Sequence, residues 1–235
     1  LVRLYRGLDQ PDMEKMALRQ LLEADPADLD ARERMVELTL PRGDGEALAE
    51  TIEHYFEQCD SDGQWQRAVD FLRKLADEHP SHTLVQKFLV RALGNTSDTS
   101  EQARRLATLV DDLEKRNEIE EALPHLRELI ALQPAESKWR DQLTRFLLRL
   151  ERAPEAAAHL VQCALHLLRT ADHDEAEKLL LQAVELDSEA PGAHRGLADI
   201  CIVRGRDEEA ISHLLDHAQS LVAAEKFNEA LDVLT

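Results

Sequence analysis

Four stretches of the chain close in the same way at one interval, and that interval limits what the chain can fold into. "LLEADP" ends at Pro26, "LADEHP" at Pro80, "IALQP" at Pro134 and "VELDS" at Ser188, so the closures recur at a constant step of 54 (80−26, 134−80, 188−134). A fixed step of this size means stacked units, since each unit buries its apolar faces only against its neighbours. Laid on itself at this step, the chain puts Leu89, Leu143 and Leu197 with Met35, and Leu106, Leu160 and Leu214 with Ile52. It also puts Val110, Ala164 and Ala218 with Phe56, Leu113, Leu167 and Leu221 with Cys59, and Leu93 and Leu147 with Cys201. Columns that stay apolar in every copy are core positions.

Leu, Ala, Glu and Arg carry the sequence and aromatic residues make up only 4% of it, so helix formers dominate and strand formers are sparse. An all-α protein is expected. Glu-Ala pairs mark the helix starts: Glu121-Ala122, Glu155-Ala156, Glu175-Ala176, Glu209-Ala210 and Glu229-Ala230. The carboxylate complements the positive end of the helix dipole, and the small alanine lets a neighbouring helix come close. Successive alanines are separated by 34, 20, 34 and 20 (156−122, 176−156, 210−176, 230−210), so the step of 54 resolves into 34 plus 20.

With those residues in hand, "SKWRDQLTRFLLRLERAPEAAAHL" and "AHRGLADICIVRGRDEEAISHL" resemble tetratricopeptide helix pairs, and the longer alanine spacing equals the length of that repeat. The 20-residue step departs from the pattern. One helix serves as second helix of one pair and first of the next, giving three helices per unit at about 137–150, 154–170 and 173–187 in the best copy. The resemblance implies a single α-solenoid over 1–235 with about 13–14 antiparallel helices in a right-handed superhelix. Its full units are 28–81, 82–135 and 136–189, with partial units at 1–27 and 190–235, as in a fragment of a longer, bacterial-looking protein.

The stretch "AHLVQCALHLLRTADHD" puts His159, Cys163 and His166 on one helix face, with His173 beyond, and raises the question of a metal site. The copies argue against it. His159 aligns with Thr51, Arg105 and His213, and His166 with Gln58, Asp112 and Ser220, as a solvent-facing stripe would. His173 aligns with Trp65, Ile119 and Phe227, at the edge of an apolar seam. His213 and His217 form an i, i+4 pair, but Leu214 stands where a zinc protease carries Glu, so only incidental metal binding is expected there. Cys59 and Cys201 fall in core columns, and three scattered cysteines suit reduced thiols in the cytoplasm. No nucleotide-binding glycine motif or serine-nucleophile elbow is present, so no catalytic residue, metal or cofactor is assigned.

A formal charge of −19 from 47 acids and 28 bases repels phosphate backbones, which disfavours nucleic acid as a ligand. No apolar run reaches membrane-spanning length, so no membrane insertion is expected. Pro124 is read as a tolerated proline early in a helix, and residues 92–102 as a polar turn ending in a Ser or Thr helix cap. The resemblance implies a protein or peptide ligand. If the first helix of each pair lines the concave side, Lys87, Arg91, Lys138, Arg145 and Arg149 form a basic strip suited to an acidic segment or a C-terminal carboxylate. The Lys/Asn clamp of the chaperone-tail-binding members has no counterpart here beyond Asn95. An interaction scaffold is the first expectation, followed by a recruiting arm of an enzyme and by self-assembly through the ends of the array.

Overall fold

The structure, a computed structural model, describes residues 1–190, 192–223 and 225–234. Among these residues it is all helix and turn: α1 (Val2–Gly7), α2 (Pro11–Ala24), α3 (Leu29–Thr39), a 3-10 turn (Leu40–Arg42), α4 (Gly45–Ser61), α5 (Trp65–Glu78), α6 (Thr83–Gly94) and α7 (Thr99–Lys115). There follow α8 (Ile119–Leu132), α9 (Ser137–Arg149), α10 (Ala153–Arg169), α11 (His173–Leu186), α12 (Ala193–Val203), α13 (Asp207–Ala223) and α14 (Phe227–Leu234). The starts of α4, α7, α10 and α13 recur at the same step of 54 (99−45, 153−99, 207−153), as do those of α5, α8, α11 and α14 (119−65, 173−119, 227−173). Three helices fill each step.

The chain divides into two compact units, Leu1–Asp112 and Leu113–Thr235. In the first, each helix from α1 to α6 packs on the next, and α4 also reaches α6. The core of this unit gathers Ile52, Tyr55, Phe56, Leu72, Leu89 and Leu93, with Phe56 meeting Trp65 and Phe88 edge-on at 5.0 and 5.6 Å between ring centres. In the second unit, α8 to α14 again pack in chain order, and α10 also touches α12. This neighbour-on-neighbour packing is that of an α-solenoid. The helix-start alanines Ala122, Ala156, Ala176, Ala210 and Ala230 are all buried, so each lies where another helix presses close.

Helix ends explain why the period is strict. Asp28, Asp44 and Asp172 accept a backbone N–H three residues on, at 2.9, 3.0 and 3.3 Å, and so cap α3, α4 and α11. The 92–102 connector is capped by Asp98, which takes the Glu101 N–H at 3.0 Å, and not by the expected Ser or Thr. Thr96 instead accepts the Asp98 backbone N–H, at 3.3 Å. At the other ends, Asp9, Gly63, Asn117, Ala171 and Glu225 all have positive φ, between 52° and 65°. They too follow the step of 54 (63−9, 117−63, 171−117, 225−171). Beside each, the next residue's N–H reaches the carbonyl five back, as in Gln64 to Cys59 at 2.7 Å and Asp172 to Leu167 at 3.1 Å. This is the Schellman closure, which satisfies the last carbonyls of a helix and turns the chain into the next one.

Pro124 lies within α8, whose helix runs on to Leu132. No helix of the described residues is long and apolar enough to cross a membrane.

Candidate functional site

The basic strip divides between the two units. Lys87 and Arg91 lie on α6 in the first; Lys138, Arg145 and Arg149 lie on α9 in the second. Arg91 pairs with Glu53 of α4 and spreads its guanidinium over the Phe56 ring, 5.3 Å from the centroid, so it seals the core of its own unit. Lys87 is half-buried one turn earlier. The Lys138 ammonium stands 4.3 Å from the centre of the neighbouring Trp139 ring.

Arg145 and Arg149 are arranged differently. Both reach Glu114, at 3.4 and 3.6 Å, while the buried Gln142 donates to the same carboxylate at 2.8 Å and Arg149 also donates to Asn117 at 2.8 Å. One carboxylate thus faces two guanidinium groups. These two arginines edge a groove of about 460 Å³ formed by α9, α10 and α11, with Leu148 and Leu160 as its apolar floor and Asp141, Thr144 and Gln182 beside them. The arginine side chains are 60% and 43% exposed, so both remain open to a ligand.

A second recess of about 500 Å³ lies where α8, α9 and α10 meet, lined by Arg127, Leu143, Leu147, Glu155 and His159 among others. His159 therefore does not sit on an outer stripe, which corrects the sequence reading. His159 and Cys163 are both half-buried, and the Cys163 sulfur lies 3.7 Å from His159 Nε2. Burial lowers the His159 imidazole below its ordinary range and raises the Cys163 thiol. Of the three, His166 alone is exposed, next to Arg169 at 3.2 Å. Their ligand atoms do not converge on a common point. The polar column misled because α10 is flanked by both α9 and α11, leaving it a narrow free face.

Cys59 and Cys201 are buried as their columns require, and burial pushes both thiols up. The three cysteines are free.

The sequence reading missed one cluster. His194 of α12 with His213 and Asp216 of α13 bring one ligand atom each to within 4.8 Å of one another. The only hint in the sequence was His213, read there with His217.

Residues 163–217, from the middle of α10 through most of α13, match the family model for the tetratricopeptide repeat. The chain carries a tetratricopeptide repeat. That match spans the helix-start alanines Ala176 and Ala210, whose 34-residue spacing is the length of the repeat. No curated protein sequence matches the chain. Among solved structures, it is similar to BtubC from P. vanneervenii, with 12% identity over 94% of this chain and 92% of that one, at a TM-score of 0.45. It is also similar to the apo form of the quorum sensor NprR from B. thuringiensis, with 15% identity over 99% and 74% of the two chains and a TM-score of 0.42. A further similarity is to the TPR2AB domain of yeast Sti1 in complex with pHSP90, with 15% identity over 99% and 92% and a TM-score of 0.33.

Proposed function

We propose that the chain is a non-catalytic protein-interaction scaffold, and that its second unit takes an acidic segment of a partner protein along the groove of α9, α10 and α11. Tetratricopeptide repeats act in general by offering the surfaces of stacked helices to peptides and proteins. The observation that carries the finer reading is the pairing of Arg145 and Arg149 above an apolar floor: guanidinium groups fork onto carboxylates, and Leu148 and Leu160 give the rest of a peptide something to cover. On a chain with a charge of −19, two exposed guanidinium groups favour register over broad attraction.

The test is fluorescence anisotropy with an Asp/Glu-rich peptide bearing a free C-terminus, its C-terminal amide, and a Lys-rich peptide of equal length. The acidic peptide binds best, and Arg145→Glu with Arg149→Glu weakens it by about tenfold or more. Affinity unchanged in that double variant overturns the assignment of the groove. The free acid and the amide binding alike would place recognition in acidic side chains and not in the terminal carboxylate.

A second reading, association through the outer helices, rests on a separate observation. Leu4, Leu8, Met13 and Met16 on or beside α1 and α2, and Ile211, Leu215, Phe227 and Leu231 on α13 and α14, are exposed apolar side chains. Light scattering across concentration separates a monomer from an associating chain.

A further inference from the structure

His194, His213 and Asp216 stand in three columns of the repeat, and the same columns in the earlier copies say what that position is for. The counterparts are Arg32, Thr51 and His54; Gln86, Arg105 and Thr108; and Arg140, His159 and Gln162. Each earlier copy carries an arginine among the three. In two of the three earlier copies the first column has a structural task that can be seen directly, while Arg140 pairs with Glu175 instead. Arg32 donates from Nε and Nη2 to the carbonyl of Pro26 at 2.9 and 2.7 Å, and Gln86 donates from Nε2 to the carbonyl of Pro80 at 3.4 Å. Both reach six residues back, to the residue that closes the preceding helix.

His194 does the same: its Nε2 lies 3.1 Å from the carbonyl oxygen of Ser188, again six residues back. A carbonyl only accepts, so Nε2 carries the proton and Nδ1 of the neutral ring presents a bare lone pair. That Nδ1 is buried, has no hydrogen-bond partner among the described residues, and lies 3.8 Å from Asp216 Oδ2. His194 as a whole is only 9% exposed. His213 also keeps a buried Nδ1 without a partner among them, and its ring centre lies 5.8 Å from that of His194. Two buried ring nitrogens without a partner among the described residues and a carboxylate thus stand together in columns where the first copy holds Arg32.

We infer that His194, His213 and Asp216 form a zinc-class metal site joining α12 to α13. Two imidazoles and one carboxylate are a ligand set typical of zinc and its borderline neighbours, and too few oxygens for calcium or magnesium. The bond from His194 to Ser188 is the outer-shell contact that orients a ligating imidazole. In a tetrahedral site with bonds of about 2.0–2.2 Å, ligand atoms stand about 3.3 Å apart. The three ligand atoms now lie within 4.8 Å of one another, and Asp216, whose side chain is 47% exposed, has solvent on one side in which to turn. A cavity of about 470 Å³, lined by His194, Asp216, Glu189 and Gln219 among others, leaves room for a water as fourth ligand.

The experiment uses the whole chain without an affinity tag. Metal-free protein is titrated with zinc and then with cobalt, with bound metal measured by elemental analysis after dialysis. One zinc per chain is expected, together with the intense visible absorption of tetrahedral cobalt, which needs no variant to be read. His194→Ala and Asp216→Asn weaken binding by tenfold or more, whereas His217→Ala leaves it unchanged. Circular dichroism of each variant checks that it folds. No bound zinc, or octahedral cobalt of weak absorption, overturns the site. So does binding that survives His194→Ala and is lost in His217→Ala, since the metal would then sit on the His213/His217 pair of α13 alone.

Discussion

Ala171 offers a test of the repeat at a single backbone angle. It closes α10 with φ at 60°, donating to Leu168 O at 3.2 Å while the Asp172 N–H reaches Leu167 O at 3.1 Å, and its side chain is exposed. An L-residue with a Cβ loses about 1–2 kcal/mol in the left-handed region, and glycine does not. Glycine adds freedom to the unfolded chain worth about 0.4–1 kcal/mol, so Ala171→Gly should stabilise the second unit by about 0.5–1 kcal/mol. Ala158→Gly is the control, because it makes the same chemical change at an exposed position inside α10, where the loss of helix propensity costs about 1 kcal/mol. Trp65 belongs to the first unit and Trp139 to the second, and they are the only two tryptophans. Urea unfolding followed by fluorescence in a Trp65→Phe background therefore reports the second unit, and the linear extrapolation gives each free energy. The two substitutions should differ in sign and by about 1.5–2 kcal/mol. If Ala171→Gly destabilises as Ala158→Gly does, the left-handed closure, and with it the shared turn at 9, 63, 117, 171 and 225, is wrong.

Two further substitutions probe the packing within each unit. Glu14, 2% exposed, receives Arg34 at 2.7 and 2.9 Å and Arg6 at 3.0 Å, and the Arg34 bonds hold its carboxyl below the usual range against the opposing effect of burial. A depressed folded value gives stability that is present above the ordinary glutamate pKa near 4.3 and lost as pH falls through the folded value. Glu14→Gln should cost about 2 kcal/mol at pH 7 and flatten the acid limb of the unfolding curve below pH 4.3; an unchanged acid limb refutes the assignment. In α12, a Cβ on Gly196 would lie 2.8 Å from Leu180 Cδ1, and Leu180 is wholly buried. Gly196→Ala should therefore cost about 1 kcal/mol net, overpacking of about 1–3 kcal/mol outweighing the helix propensity gained; a rise in the urea midpoint would show that the α11–α12 contact is looser than this.

The apolar columns were legible because burial tolerates few residue types. Leu89, Leu143 and Leu197 are all buried, as are Ile52, Leu106 and Leu160, so the period and the core came from one pattern. The turn column was not legible. Asp9, Gly63, Asn117, Ala171 and Glu225 share one backbone angle and no chemistry, because the closure is made by main-chain hydrogen bonds that any residue can supply at some cost. The basic strip was only half readable: spacing along α6 and α9 is in the sequence, but the carboxylates opposite, Glu53 and Glu114, are set by helix packing. Glu53 holds Arg91 over the edge of its unit's core, and Glu114 holds Arg145 and Arg149 beside a groove.

The metal cluster shows how a repeat can acquire chemistry without changing its fold. In two of the three earlier copies this column donates to a carbonyl six residues back, from Arg32 or Gln86, whereas Arg140 turns to Glu175. A histidine in that column performs the same task with one nitrogen and is left with a lone pair on the other. Alone, that lone pair would be a buried acceptor without a partner, at a cost of about 1–3 kcal/mol. With His213 and Asp216 about one turn apart on the facing helix, it becomes a third of a ligand set. The repeat frame fixes where those side chains stand, so three ordinary substitutions at scaffold positions suffice, and none of them disturbs the apolar columns that hold α12 against α13.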